Sequence, residues 1–519
     1  MKIKVIIIGL IVIASSCSKG QQSEQVESSI EIDNSVLPSN NISFKNQLGI
    51  NGFEWDFFDA DNSIISAGRI NVINSFGGFR HYMDWEKIES NEGQYTFNPV
   101  HSGGWNYDLI YERCKTDGIE MLACLKNSPP WLVSTYPGDQ RDAENVPAPY
   151  GLPRTDPASY IKQAKAGFQF AARYGHNTNV DPKLVTVNPN KRWPADPVNQ
   201  VKIGLGYINY IECNNEPDKN WKGPKAEQSA EEYAANMSAF YDGNMGKLGN
   251  NVGVKTADPT MKVVMGGLSV STMDFVLKMI EWCKKNRGYK ADGSVNLCFD
   301  IINYHYYSNN GTTGIAPEFS EAAKKADEYV AMSKKNANSA EIWMTEAGYD
   351  LNPASNQRAI KIGDKDAILT QADWMLRSAL LYGRHGVNKT FFYMLDDVDI
   401  NSTIQYSSSG FAVGHVRRPV ADYFMQTKKL IGEFSFYKNI STEPIVDIYS
   451  LKDRKIYVLY VPDQKGRTAQ FTLDLGGAKN GKVYTLVAGA DNMTSKIIPT
   501  TNGKLDMPLT ETPIFVEAN

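Results

Sequence analysis

The chain has no basic excess. Its 519 residues carry 54 Lys and Arg against 58 Asp and Glu, a formal net charge of −4. A nucleic-acid partner would require a cationic face, and this balance argues against one. Cysteine is scarce, six in all, and no two form a Cys-x-x-Cys pair, so a zinc or dithiol redox motif is not supported. Past Cys17 five remain, Cys114, Cys124, Cys213, Cys283 and Cys298, an odd count that leaves at least one unpaired. Only Cys283 with Cys298 is considered as a disulfide; the rest fit small buried side chains. There is no Gly-x-Ser-x-Gly elbow for a serine hydrolase. Gly476–Val483, GGAKNGKV, nearly spells a phosphate loop but lacks the final Ser or Thr and lies between β-like runs, so it reads as a turn. Only one stretch is long and apolar, and it sits at the start.

That stretch, MKIKVIIIGLIVIASS, places Lys2 and Lys4 before an apolar run from Val5 to Ala14. It is too short to span a bilayer as a mature helix. Ala14, Ser15 and Ser16 then precede Cys17, in the manner of a bacterial lipoprotein leader. The expectation is a signal peptide over 1–17, lipid on Cys17, a Ser/Gln/Glu/Asn-rich linker over 18–45, and an extracytoplasmic protein held to a membrane by that lipid. This would be the outer membrane or periplasm of a Gram-negative bacterium. The bulk composition, 42% hydrophobic and 22% charged, is that of a folded globular chain. The 11% aromatic content hints at a stacking surface.

From Leu48 to about Phe434 short β-branched or apolar runs alternate with amphipathic helices. Strands are expected at Leu48–Asp56, Phe76–Asp84, Glu120–Lys126, Ile203–Cys213, Lys262–Leu268, Phe299–Tyr306, Glu341–Glu346 and Thr390–Leu395. Helices are clearest at Tyr160–Tyr174, Ala230–Tyr241, Met273–Asn286, Ser320–Lys335, Ala367–Gly383 and Val420–Ile431. Alternating units imply parallel strands. Eight of them imply an α/β fold, a (β/α)8 TIM barrel over 46–435. A doubly wound open sheet is the alternative, but the Gly-rich first turn it needs is missing. The long loops Ser134–Ser159 and Gly175–Asn199 read as functional walls or lids. After Phe436 the runs shorten and Gly, Asn and Asp separate them, which predicts a C-terminal antiparallel β-sandwich domain over 436–519. Ser29–Asp33 could add a strand to it.

In a parallel barrel the chemistry sits where strands end. Strand 4 closes on Ile211-Glu212-Cys213-Asn214-Asn215-Glu216-Pro217, and strand 7 on Met344-Thr345-Glu346. Strands 4 and 7 face one another across the barrel mouth, so Glu216 and Glu346 can converge. Two facing carboxyl groups suit acetal cleavage: one gives a proton to the leaving oxygen, the other attacks the anomeric carbon or activates water. Their pKa values must be held apart. The bland alternative for either Glu alone is a salt-bridge partner.

Several motifs in this order resemble the clan A retaining glycoside hydrolases, a family 39-like or family 5-like member. Asn215-Glu216-Pro217 matches the acid/base motif and Thr345-Glu346 the nucleophile motif. Phe79-Arg80 resembles the segment whose Arg keeps the nucleophile ionised. His305 and Tyr307 resemble a strand-6 pair lining the catalytic subsite. Trp85-Glu86-Lys87-Ile88-Glu89 with Gly93-Gln94-Tyr95-Thr96-Phe97 is similar to a stretch common in these families. The resemblance implies a β-glycosidase on a poly- or oligosaccharide, with Glu216 as acid/base, Glu346 as nucleophile, and Asn215 on the sugar 2-hydroxyl. It implies no metal or organic cofactor. One departure is that strand 8, Phe391-Phe392-Tyr393-Met394-Leu395, has no Trp.

Trp55, Trp131 and Trp221 lie at or just past strand ends and could each be a platform for a sugar ring, with rim packing as the alternative. Glu54 and Asp56 could bind a hydroxyl. Asp397, Asp399 and Asn401 have calcium-like spacing without the Gly and distal Glu a calcium loop needs. The competing reading of the whole chain is a carbohydrate-binding surface lipoprotein without catalysis.

Overall fold

The computed structural model describes residues 41–59 and 61–519. The leader, Cys17 and the Ser29–Asp33 segment lie outside the described residues. Eight parallel strands close a barrel in sequence order: β1 Leu48–Gly52, β2 Gly78–Asp84, β3 Glu120–Lys126, β4 Tyr210–Cys213, β5 Lys262–Met265, β6 Ile301–His305, β7 Glu341–Glu346 and β8 Lys389–Phe392. A short hairpin follows, β9 Ala412–Val413 and β10 Val416–Arg417. Among the described residues no helix is long and apolar enough to cross a membrane.

Period-2 alternation fills the barrel in layers. The floor is apolar: Leu122, Val264, Ile301, Trp343 and Phe391 form one buried cluster with Tyr210 packed on it. The floor fits because β1 has Gly49 here; a Cβ at that position would lie 2.2 Å from the Phe391 ring. One step up each strand the layer turns polar, with Asn51, Arg80, Glu212, Asn303 and Thr345 all buried. Buried polar groups must find partners, and these find one another. The top layer opens to solvent.

Several strands are shorter than their sequence suggests, β1 at its end and β4 at its start above all. Past Gly52 the chain turns into a 3-10 helix, Glu54–Phe57, and the Asp56 carboxylate accepts from the Phe53 N–H at 2.8 Å. Residues 203–209 are irregular rather than β, since Gly204 and Gly206 take positive φ of 64° and 65°. The helix Met273–Asn286 falls where its spacing predicts. Ala230–Asp242 starts at the Ser229 cap, which closes a reciprocal capping box with Glu232.

The C-terminal region pairs a six-stranded sheet with a two-stranded one. With β11 Ser435–Thr442, β12 Ile445–Leu451, β13 Arg454–Tyr460, β14 Ala469–Asp474, β15 Asn480–Thr485, β16 Thr494–Pro499, β17 Lys504–Leu509 and β18 Ile514–Ala518, the large sheet runs β11-β12-β13-β18-β15-β16 and the small one is β14-β17. Val446, Leu459, Leu473, Leu505, Met507 and Val516 share an apolar cluster between them. This unit is welded to the barrel. Arg384, on the helix Ala367–Arg384, donates to Asp447 with both Nε and Nη2, at 2.9 and 2.7 Å. Phe436, Tyr449 and Phe515 belong to the same apolar cluster as the barrel helices.

Cys283 and Cys298 are buried free thiols with Sγ atoms 3.5 Å apart. The GGAKNGKV stretch begins as the turn after β14, with Gly476 and Gly477 at positive φ, and its last four residues, from Asn480, already belong to β15.

Candidate active site

The barrel mouth holds a cleft of about 660 Å³, and both expected carboxylates line it. Glu346 ends β7. There β6 and β7 slip register: Tyr304 pairs with Met344, but His305 pairs with Glu346. A bulge re-aims side chains, and the consequence is that Thr345 and Glu346 both bond to residues of the barrel interior. Glu216 lies in the turn after β4 with φ of +47°, and Asn214 two residues earlier has φ of +69°. A non-glycine residue pays for that left-handed conformation, and such strain collects at functional sites. An oxygen of Glu216, an oxygen of Glu346 and a ring nitrogen of His305 all lie within 4.8 Å of one another.

Glu346 is held from several sides. Its Oε1 accepts from Arg80 Nη1 at 3.0 Å and, at closer range, from the Tyr82 hydroxyl. Its Oε2 accepts from the Tyr307 hydroxyl at 2.9 Å and lies 3.5 Å from His305 Nδ1. Burial alone would raise this carboxyl, but the His305 and Arg80 charges and the two tyrosine hydroxyls outweigh it and hold the group below the ordinary range. Glu216 shifts the other way. Burial pushes its carboxyl up, against the hydrogen bond with His305, and the negative charge of Glu346 pushes it further. The pKa values of two carboxyls a few ångströms apart are thereby shifted in opposite directions.

His305 bridges them. Its Nδ1 is 2.9 Å from Glu216 Oε1 and its Nε2 is 3.1 Å from Thr345 Oγ1. Burial opposes a charge on the ring, but Glu346 and Glu216 outweigh it and raise its pKa. The ring can approach only because residue 267 is Gly: a Cβ there would sit 2.0 Å from His305 Nε2.

Arg80 is fully buried and ties the layer together. It donates from Nε and Nη2 to Glu212 at 2.6 and 2.9 Å, from Nη1 to Asn51 Oδ1 at 2.9 Å, and from Nη2 to Asn215 Oδ1 at 2.7 Å. With its oxygen so used, Asn215 keeps its Nδ2 to donate. Glu212 also accepts from the Gly267 N–H and Asn303 Nδ2, each at 3.1 Å.

The three tryptophans part company. Trp221 lines the cleft and is 57% exposed. Trp55 does not line it; its ring stacks on Phe53, 4.2 Å between centroids, and Phe53 does line the cleft. Trp131 is rim packing: its Nε1 donates to the Glu89 carbonyl at 2.9 Å and its ring meets Trp85 edge to face. Glu54 and Asp56 are buried and engaged by His81 and the Phe53 N–H, so neither faces the cleft. Asp397 is paired with Arg418, which removes it from the calcium-like trio. Of the two long loops, Ser134–Ser159 reaches the cleft through Glu144. The second instead buttresses the β2 loop, where the Asn199 side chain accepts from the Phe97 and Asn98 N–H groups.

The sequence alone does not single out Tyr82, Glu212, Asn303, Gly267, Tyr393 or Tyr406 as site residues. Tyr82 was reachable, being two residues beyond Arg80 on one strand and so on the same face. Tyr393 and Tyr406 line the cleft beside strand 8, where no Trp stands.

Glu216, His305 and Glu346 also have the spacing of a metal site. Arg80 already places a positive charge 3.0 Å from Glu346, so the donor set fits proton handling better than a second cation.

No protein-family model matches the chain, and no curated protein does. Solved structures do resemble it. A family 39 glycoside hydrolase from the gut symbiont Bacteroides cellulosilyticus WH2 aligns with a TM-score of 0.61 and 16% identity, over 92% of this chain and 81% of that one. A family 51 α-L-arabinofuranosidase from Bifidobacterium longum gives 0.54 and 12%, over 93% and 97%. A family 30 endoxylanase from Clostridium papyrosolvens C71 gives 0.50 and 13%, over 93% and 98%. At such identities the likeness is one of fold: a closed (β/α)8 barrel with a C-terminal β unit.

Proposed function

We propose that the protein is a retaining glycoside hydrolase that cleaves a β-linked poly- or oligosaccharide by double displacement. The observation that carries this is the opposed pair: a buried carboxyl pulled below its ordinary range by His305, Arg80 and two tyrosines, with an oxygen within 4.8 Å of an oxygen of one pushed above that range by burial. That separation favours direct attack, since a retaining pair stands about 5–5.5 Å apart and an inverting one leaves room for water at about 6.5–9.5 Å. The fold neighbours named above, all glycoside hydrolases, add support at the level of fold.

Glu346 attacks the anomeric carbon as the bond from that carbon to the leaving oxygen breaks. Glu216 delivers its proton to that oxygen. A glycosyl ester now occupies Glu346, whose negative charge is gone. That charge was one of the influences raising Glu216, so the pKa of Glu216 falls and the group can take a proton from water as it attacks the ester. Hydrolysis of the ester restores Glu346. In this reading Asn215 Nδ2 donates to the sugar 2-hydroxyl, and Tyr82 and Tyr307, whose hydroxyls burial pushes far above their ordinary range, stay protonated as donors. The same reading keeps Cys17 as a lipid attachment site outside the cytoplasm; its support is the sequence pattern before it.

The test is a panel of soluble plant and microbial polysaccharides with the wild type, Glu346→Gln and Glu216→Gln. Turnover by the wild type, with both variants down by about 10²–10⁴-fold or more, is the expected result. Full activity in either variant overturns the assignment. A wild type that binds but never cleaves would favour the non-catalytic carbohydrate-binding reading.

A further inference from the structure

The turn that follows Glu216 carries an aromatic platform with no structural task. Trp221 sits in the short 3-10 helix Asn220–Lys222. It is 57% exposed, and its indole has neither a ring neighbour nor a hydrogen-bond partner among the described residues. Trp85 and Trp131, by contrast, each spend their Nε1 on Glu89.

The backbone beneath Trp221 is pinned on two sides. Toward the loop after β3, Lys219 pairs with Glu144 at 2.8 Å, and Lys222 with Glu144 and Asp142 at 2.9 and 3.3 Å. Toward the loop after β5, the Asp218 carboxylate accepts from the Ser269 and Val270 N–H groups, both at 2.9 Å. Individual surface pairs contribute little to stability, but a set that fixes one turn also fixes what the turn presents. A rigid, exposed Trp loses little entropy when a ligand stacks on it.

Its side of the cleft is set by chemistry. Glu216 must reach the leaving oxygen, so the departing sugar lies on the Glu216 side, and Trp221 is five residues further along the same turn. The opposite wall comes from β1 and β8, through Phe53, Tyr393 and Tyr406. The cleft thus offers aromatic surface on both sides of the carboxylates.

Resting on the proposed glycosidase reading, we propose that Trp221 forms a leaving-group subsite for a second sugar ring, and that the enzyme cuts internal linkages of a glycan chain. Sugar bound on both sides of the scissile bond is what internal cleavage needs.

The experiment has two arms. In the first, early products of wild-type digestion of the responding polysaccharide are sized; a ladder of oligosaccharides with a rapid fall in viscosity is expected. Release of only mono- or disaccharide from the earliest time points overturns the proposal while leaving the glycosidase reading intact. In the second, kcat/KM of wild type and Trp221→Ala is compared on an oligosaccharide of that glycan and on the matching glycosyl fluoride, whose leaving group is one atom. The ratio of the two values is expected to fall about tenfold in the variant, the scale of one lost aromatic contact. An unchanged ratio, whether both values fall together or neither does, overturns the subsite. If the wild type cleaves no glycan at all, the glycosidase reading fails and this inference with it.

Discussion

The guanidinium of Arg80 meets the carboxylate of Glu212 side-on, Nε to Oε2 at 2.6 Å and Nη2 to Oε1 at 2.9 Å, both residues wholly buried. Glu212 thus anchors the cation that Glu346 also uses. Breaking this buried pair leaves Arg80 with Glu346 as its one remaining charge partner among the described residues. Glu212→Gln is expected to lower the unfolding free energy by about 3–5 kcal/mol in urea titration. A change of a few tenths would mean that Arg80 does not depend on it.

The pH dependence follows from the two opposed carboxyls. Activity needs Glu346 ionised and Glu216 protonated, so kcat/KM should be bell-shaped, its acid limb below the ordinary carboxylate range and its alkaline limb above it. The Tyr82 hydroxyl favours the ionised Glu346. Removing it in Tyr82→Phe raises that pKa, and the acid limb moves to higher pH while the alkaline limb stays in place. A fixed acid limb in the kcat/KM profile would dissociate Tyr82 from the nucleophile.

Gly267 permits His305 to lie where it does. In Gly267→Ala the new Cβ would fall 2.0 Å from His305 Nε2, displacing the ring from Glu216. The expected outcome is a kcat reduced by about 10²-fold, the cost of a misplaced catalytic group, with a cooperative unfolding transition retained. Wild-type kcat would show that the contact has no part in turnover.

The barrel and the C-terminal unit share a buried ion pair. Asp447→Asn strips the charge partner from Arg384, whose side chain is only 7% exposed. A loss of about 3–5 kcal/mol in unfolding free energy is expected, in a single transition that includes the barrel. Two separate transitions, with the barrel unaffected, would contradict this coupling.

The barrel was legible because its strands alternate with helices and because Glu216 and Glu346 end two of them. What was not legible has physical causes. The stretch 203–209 reads as β by composition, yet Gly204 and Gly206 at positive φ break it. The strand β16 is exposed at nearly every position and does not announce itself; β17 alternates Leu505, Met507 and Leu509 inward, but Asp506 and Pro508 between them obscure the pattern. Trp131 follows a strand end as Trp221 does; only tertiary packing tells that one indole is spent on Glu89 and the other is free. Glu212 is four residues before Glu216, and nothing local says that it faces Arg80 rather than substrate.

The central claim is that Glu346 forms a covalent ester with the sugar. Proton NMR of the anomeric signals at the start of digestion, before mutarotation, tests it most directly. The first product is predicted to have the same anomeric configuration as the substrate. A first product of inverted configuration would contradict double displacement by Glu346 and Glu216.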